Sequence, residues 1–280
     1  MKKFVLIFQC RDQKGIVAKV SDFIFKNNGN IISLDQYSTH FKLGHLFMRV
    51  EFLLEGRSHG REELEKRFSR VASIFKADFR FYEADVKPRM GILVSRPGHC
   101  LSEILYLWKN KELDVEIPLI ISNHAGHRGL ARQYGVPFYF IPSDKKDRRE
   151  KEILRLVKGS TDFLVLARYM LVFSKFFIKG YGKDIINIHH GFLPSFKGAN
   201  PYQQALNSGV KVIGATSHFV NEKLDAGPII TQEVSRVSHK DLLGSLLLKG
   251  RNLENRALAD ALVAYVQHRV IRFKNKTVIF

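Results

Sequence analysis

Cysteine is scarce. Cys10 and Cys100 are the only two in 280 residues, far apart and without CxxC spacing. That excludes a disulfide framework and the usual zinc signature, and it fits a reducing cytoplasm. Long apolar runs are missing too: none approaches the ~18 residues of a membrane span. The start, Met1-Lys2-Lys3-Phe4-Val5-Leu6-Ile7-Phe8, sets lysines ahead of apolar residues as a signal peptide does. The run stops at Gln9, however, and Arg11 and Asp12 follow with no small-residue cleavage site. The segment reads as a first β-strand. Acidic residues are short, 27 against 45 lysines and arginines, for a formal net charge of +18. Such an excess suits a nucleic-acid face or an anionic small substrate. The basic residues are spread along the whole chain, and the densest cluster, Lys145 to Lys151, is mixed with acids like a solvated helix start. Aromatic-interleaved basic stretches and zinc-finger spacing are both lacking, so nucleic acid is not an expected partner. Repeats and low-complexity segments are absent as well.

What is present falls into two rhythms. Residues 1–84 form the first. A strand over Lys3–Gln9 meets a loop, Asp12-Gln13-Lys14-Gly15. Ile16, Val17, Val20, Phe23 and Ile24 then recur at helical spacing up to a stop at Asn28-Gly29. A strand over Asn30–Phe41, a turn at Lys42-Leu43-Gly44, and an alternating strand around Leu46–Phe52 follow. A charged amphipathic helix over Arg61–Phe75 and a short strand over Asp78–Tyr82 complete a β-α-β-β-α-β order, the split βαβ pattern of ferredoxin-like α+β domains. Lys87-Pro88 looks like a junction, and residues 85–280 form the second domain. There, short apolar strands at Met90–Ser95, Val115–Ser122, Pro137–Ile141, Phe163–Ala167 and Asp184–His189 alternate with helices, which predicts a mostly parallel, Rossmann-like α/β sheet covered on both faces. A helix from Pro201 with Asn200 as its cap, strands over Val210–Val220 and Ile229–Val234, a long helix over Lys240–Arg269 and one last strand finish the chain.

The strand Asp184–His189 carries the chemistry. Side chains alternate faces along a strand, so Asn187 and His189 share one face while Ile186 and Ile188 share the other. An amide beside a titratable ring, at the carboxyl end of a parallel strand, suits a carbonyl that must take up negative charge. Both could instead be hydrogen-bonded structural residues at a strand end. His190 next to His189 suggests a metal pair, but neighbouring strand residues face apart, and a structural role is the simpler reading; no metal is expected. Cys100 with His99 could be a nucleophile pair or a buried small residue at a helix start. Asp225 could be functional or could open a turn.

Taken together, Asn187-Ile188-His189-His190-Gly191-Phe192-Leu193-Pro194, Gly198-Ala199-Asn200-Pro201-Tyr202, Gly214-Ala215-Thr216-Ser217-His218-Phe219-Val220 and Leu224-Asp225-Ala226-Gly227-Pro228-Ile229-Ile230 resemble the formyltransferase fold. Asp12-Gln13-Lys14-Gly15-Ile16 and Asn28-Gly29-Asn30-Ile31 resemble an ACT domain. The two joined in this order are similar to the formyltetrahydrofolate deformylase family. The resemblance implies a hydrolase acting on a linear amide-type C–N bond: 10-formyltetrahydrofolate and water give tetrahydrofolate and formate, the formate serving purine biosynthesis and the balance of one-carbon pools. It needs no cofactor. The alternative is formyl transfer to an amine such as glycinamide ribonucleotide. Transformylases of that kind need a Gly-rich phosphate loop after the first strand of the sheet. Here that place reads Ser95-Arg96-Pro97-Gly98-His99, with one glycine and a proline that lacks an N–H, which favours water as the acceptor.

The resemblance also implies residue roles. Asn187, His189 and Asp225 form the catalytic trio. Asn187 and a protonated His189 donate to the oxyanion, Asp225 pairs with His189 and orients the water, and His189 delivers a proton to the leaving nitrogen. Folate lies along Arg168, Tyr169, Met170, Leu171 and Val172, with His218 either lining the pocket or supporting the Asp225 loop. In the ACT-like half, Asp12, Gly15, Asn30 and Ile31 either hold an amino-acid effector, glycine or methionine, or serve the fold, Asp12 and Gly15 by capping the first helix. A homo-oligomer through ACT domains follows from the same resemblance. Leu171, Gly191 and Gln203 depart from the residues relatives often carry there: Arg, Ser and His.

Overall fold

The computed structural model describes residues 1–40, 44–55, 60–196, 198 and 200–280. The expected turn residues Lys42 and Leu43, the strand end Phe41, and Lys197 and Ala199 lie outside the described residues. The contacts divide the chain into two units: Met1–Lys87 with His268–Ile271 and Val278–Phe280, and Pro88–Gln267 with Arg272–Thr277.

The first unit runs β1 (Lys2–Arg11), α1 (Ile16–Lys26), β2 (Gly29–Ser38), β3 (His45–Leu54), α2 (Arg61–Phe75) and β4 (Asp78–Glu83). Its antiparallel sheet has the order β2-β3-β1-β4. Alternation places Phe4, Leu6 and Phe8 of β1 and Met48, Val50 and Phe52 of β3 in one core with Phe23 of α1 and Phe68 of α2. Phe68 meets Phe23 edge to face at 4.9 Å. Side chains of this kind, fully buried, each contribute about 1.5–3 kcal/mol.

The ends of α1 refine the sequence reading. Asp12 does not cap α1; its carboxylate accepts the Ser38 hydroxyl at 2.6 Å. Gly15 takes the cap position, as one of its two expected roles had it, at φ 88°, a conformation glycine adopts without steric cost. At the other end of α1 the left-handed residue is Asn28, φ 58°, rather than Gly29.

The second unit contains β5 (Arg89–Val94), α3 (His99–Lys109), β6 (Glu116–Ser122), a 3₁₀ turn (Ala125–His127), α4 (Arg128–Gln133), β7 (Phe138–Phe140), α5 (Lys146–Val157), β8 (Phe163–Ala167), α6 (Lys175–Tyr181), β9 (Asp184–His189), α7 (Pro201–Asn207), β10 (Val212–Phe219), β11 (Ile229–Arg236) and α8 (Leu243–Val266). The sheet order is β11-β10-β9-β8-β5-β6-β7. β5 to β9 are parallel, and β10 and β11 run against them. Leu164, Leu166 and Ile185 pack on Ile153 and Val157 of α5 and Phe177 and Tyr181 of α6. Covered strands need no polar alternation, which is why β8 is apolar throughout. α8 packs on β10 and β11 and touches α3 and α7. Gly250 of α8 makes the α7 contact possible: a Cβ there would lie 2.2 Å from Tyr202.

Asn200 precedes α7 as expected, but at φ 53° and without a side-chain cap; its carbonyl takes the amides of Gln203 and Gln204. The long helix is three residues shorter at each end than its apolar pattern suggested, and the single last strand is a pair, β12 (Val270–Phe273) and β13 (Lys276–Ile279). The end of the chain is therefore shared between the units. His268 clusters with the first, its ring stacked on Tyr82 at 3.6 Å. Among the described residues no helix is long and apolar enough to cross a membrane.

Candidate active site

β9 is a buried middle strand, and its last residues reach the carboxyl edge of the sheet. β10 pairs beside it with Thr216 opposite His189 and His218 opposite Asn187. This register sets His218 against Asn187: their Nε2 and Nδ2 atoms are 3.2 Å apart. The other ring nitrogen of His218 meets the Phe219 carbonyl at 2.9 Å. A carbonyl only accepts, so Nδ1 carries the hydrogen and Nε2 is left to accept from the Asn187 amide. Burial lowers the pKa of His218, against the opposing pull of the Phe219 bond and Asp225, which fits this neutral tautomer. Asn187 retains its second amide hydrogen for a ligand.

Asp225 arrives from the loop after β10. Its Oδ2 is 3.3 Å from His189 Nδ1 and its Oδ1 3.8 Å from His218 Nε2. Gly227 lets that loop press onto β10, because a Cβ there would fall 1.7 Å from the Phe219 carbonyl oxygen. His189 is 4 % exposed, and its Nε2 lies 3.1 Å from the Phe196 carbonyl oxygen. A hydrogen on Nε2 is thus engaged by the Phe196 carbonyl, whereas Asn187 has an amide hydrogen free for a ligand.

Residues that sequence reasoning missed hold the segment after His189 in place. Buried Thr216 donates to the Gly191 carbonyl at 2.8 Å and accepts from Leu193 N–H at 3.1 Å. Gln232 of β11 donates to the Leu193 carbonyl at 2.8 Å. The Leu193–Pro194 peptide is cis. A Cβ on Gly191 would sit 2.9 Å from His189 Nε2, which gives the departure at 191 a local reason. Leu171 packs at the margin of the α5–α6 core, and Gln203 bonds Asn207 one turn on.

The residues expected along folate are split. Met170 and Val172 are 51 % and 53 % exposed, and Ser95 Oγ takes the Met170 amide at 3.0 Å. Tyr169 is buried and stacked on Phe173, and burial pushes its phenol up to about 12. Arg168 turns inward to Glu254. The open groove of about 870 Å³ along α5, lined by Lys145, Lys146, Asp147, Arg148, Lys151, Glu152 and Arg155, contains none of these residues.

The effector residues are not brought together within one chain. Asn30 stands level with Leu53 and hence with Lys3, whereas Asp12 lies beyond the far end of β1. Nine residues at a strand rise of about 3.4 Å put them on the order of 30 Å apart. Ile31 packs at the margin of the core.

A second acid–histidine cluster lies on the other side of β9. Glu254 of α8 is 2 % exposed. One oxygen meets His99 Nε2 at 2.8 Å and Arg168 Nε at 3.2 Å; the other accepts from Tyr202 at 2.9 Å. Burial would raise its pKa, but the His99 bond and the Arg168 charge hold it below the ordinary value. His190 points this way, its ring 6.0 Å from Tyr202. Burial first, then Arg168, push its pKa down to about 3. Donor atoms of His99, Cys100 and Glu254 lie within 4.8 Å of one another, yet a cation there would stand beside the Arg168 guanidinium, which argues against a metal. Burial, with Glu254 nearby, raises the Cys100 thiol well above its usual pKa, which argues against a nucleophile.

Residues 88–262 match the Formyl transferase family and residues 4–72 the ACT domain. A formyltetrahydrofolate deformylase of Synechocystis sp. is 43 % identical over 98 % of this chain and 97 % of its own. The chain belongs to the formyltetrahydrofolate deformylase family. A crystal structure of a deformylase from Pseudomonas syringae pv. tomato is 41 % identical, with a TM-score of 0.95 over 100 % of this chain and 95 % of that one. A glycinamide ribonucleotide transformylase from Symbiobacterium toebii is 28 % identical, with a TM-score of 0.66 over 71 % of this chain and 96 % of its own.

Proposed function

We propose that this protein cleaves 10-formyltetrahydrofolate with water, releasing tetrahydrofolate and formate. The reading is carried by similarity to deformylases that runs through both units. Its chemistry falls to the groups gathered at the end of β9. Water attacks the formyl carbon, and the carbonyl oxygen becomes an oxyanion. Asn187, oriented by His218, donates its free amide hydrogen to that oxygen; such a donor is worth about 10²–10³ in rate. Asp225 accepts from His189 and is placed to orient or deprotonate the water. His189 is the proton source for the departing nitrogen once its bond to Phe196 opens. The reading needs neither metal nor redox cofactor.

Formate made this way would serve purine biosynthesis. A reducing cytoplasm suits a chain whose two cysteines are free and buried. The ACT unit would bind glycine or methionine. Because Asp12 and Gly15 lie far from Asn30 and Ile31 in one chain, a second copy must complete that site, which makes a homo-oligomer part of the reading.

The direct test is formate release from 10-formyltetrahydrofolate without any amine. Loss of the formyl group only when glycinamide ribonucleotide is supplied, with the N-formyl amine formed in place of formate, would move the protein to the transformylases. Activity that ignores both amino acids would remove the effector.

A further inference from the structure

β5 and β8 are neighbours at the centre of the sheet, yet the chain leaves β5 for β6 and β7 and returns to lay β8 on the other side. Such a reversal opens a crevice at the carboxyl ends of the strands, where parallel sheets take ligands. Here the crevice is filled from within. Arg168 follows β8 and His99 opens the helix after β5, and both reach Glu254. Tyr202, 4 % exposed, closes the remaining carboxylate oxygen. Beside them the loop after β5 is shut by His127, whose Nε2 meets the Ser95 carbonyl at 2.7 Å and whose ring leaves no room for a Cβ on Gly98.

Two features argue that Arg168 does more than stabilise. It holds φ 63°, a left-handed conformation that is strained for a non-glycine residue. Its buried Nη1 has no hydrogen-bond partner among the described residues, and such groups cost stability. A side chain kept only to stabilise the loop would carry neither cost. The Symbiobacterium toebii neighbour, named for an amine acceptor, shares this sheet, so the fold itself does not exclude such a substrate.

We infer that Arg168, Glu254, His99 and Tyr202 form a specificity plug that occupies the crevice an amine-bearing second substrate would enter, reserving the formyl carbon for water. The inference rests on the hydrolase reading above. With the plug loosened, an amine can replace water: its nitrogen bonds to the formyl carbon, the bond from that carbon to the folate nitrogen breaks, and the proton lost by the amine ends on the folate nitrogen. The products are tetrahydrofolate and an N-formyl amine in place of formate.

The test measures how the formyl group partitions. Purified full-length protein is given 10-formyltetrahydrofolate with excess glycinamide or hydroxylamine, and formate and N-formyl amine are counted by mass spectrometry. Arg168→Gly suits the left-handed backbone, and His99→Ala opens the plug from the other strand should the first variant fold poorly. The ratio is read per turnover, so a general loss of activity does not move it. Wild-type protein should yield formate alone, and at least one variant should raise the share of N-formyl amine by roughly tenfold or more. Folded variants that still hydrolyse with the wild-type ratio overturn the plug, and so does a wild-type protein that already formylates these amines. Wild-type protein that releases neither product sinks the hydrolase reading itself and the plug with it.

Discussion

Two carboxylates face histidines on opposite sides of β9, and they are held in opposite ways. Asp225 stands on a loop, 3.3 and 3.8 Å from two rings. Glu254 stands in the middle of a 24-residue helix with donors on both oxygens. The loosely held acid can change partner when substrate and water arrive. The saturated one cannot, because its attraction to Arg168 and His99 already offsets the cost of burying it. The same residue pairing is thus open to a new partner in one place and saturated in the other, and the number of donors per carboxylate tells them apart.

The largest expected effect lies on the working side. Asp225→Asn keeps the size but removes the charge opposite His189, and formate release should fall by roughly 10³-fold or more. Stability measured by urea unfolding should move by less than about 1 kcal/mol. Glu254→Gln should reverse the pattern. It leaves Arg168 buried without its counter-charge, so unfolding free energy should drop by about 3 kcal/mol, while formate release per folded molecule falls by less than about tenfold. If the two variants behaved alike, the distinction drawn from their donors would be lost.

How far each side could be read from sequence follows from the same contrast. Asn187 and His189 were legible because a strand period of two fixes which side chains share a face. Asp225 came only through resemblance to a family, since a loop carries no period. The sequence leaves His218 between two roles, because what sets it against Asn187 is the β9–β10 register, a long-range fact that no local pattern holds. The Glu254 cluster was invisible. Within a helical pattern its charge reads as a solvated face, and its partners come from three distant segments. Arg168 comes to lie along folate only through resemblance to a family, whereas in the structure it has a left-handed backbone and its guanidinium meets buried Glu254. In the first unit the strand and helix order was legible throughout, but Asp12, a usual capping residue, was drawn off by Ser38.

A smaller effect tests how the working side is oriented. His218→Leu removes the acceptor that fixes the Asn187 amide, and formate release should fall by about tenfold or more, in kcat rather than KM. A change confined to KM would instead make His218 a binding residue of the pocket wall.

The smallest effect is a pH dependence set by His190, just past the end of β9. His190 has an ordinary pKa of 6.5 that burial and Arg168 push to about 3 in the folded protein. Between those values the unfolded chain takes up a proton that the folded ring refuses, so stability rises with pH across that window and is lost as pH falls from 6.5 toward 3. His190→Asn removes this proton and should flatten the fall in Tm below pH 6.5. It also removes a packed ring, so the variant starts less stable at neutral pH, and the gap to wild type should narrow as the solution is acidified. His218 is lowered too, and His268 is pushed to about 4 by burial and by Arg49 and Arg80, so part of the slope should remain. Parallel Tm curves for the two proteins would mean that His190 accepts a proton in place, and the wall around Glu254 would then be less closed to water than its donors indicate.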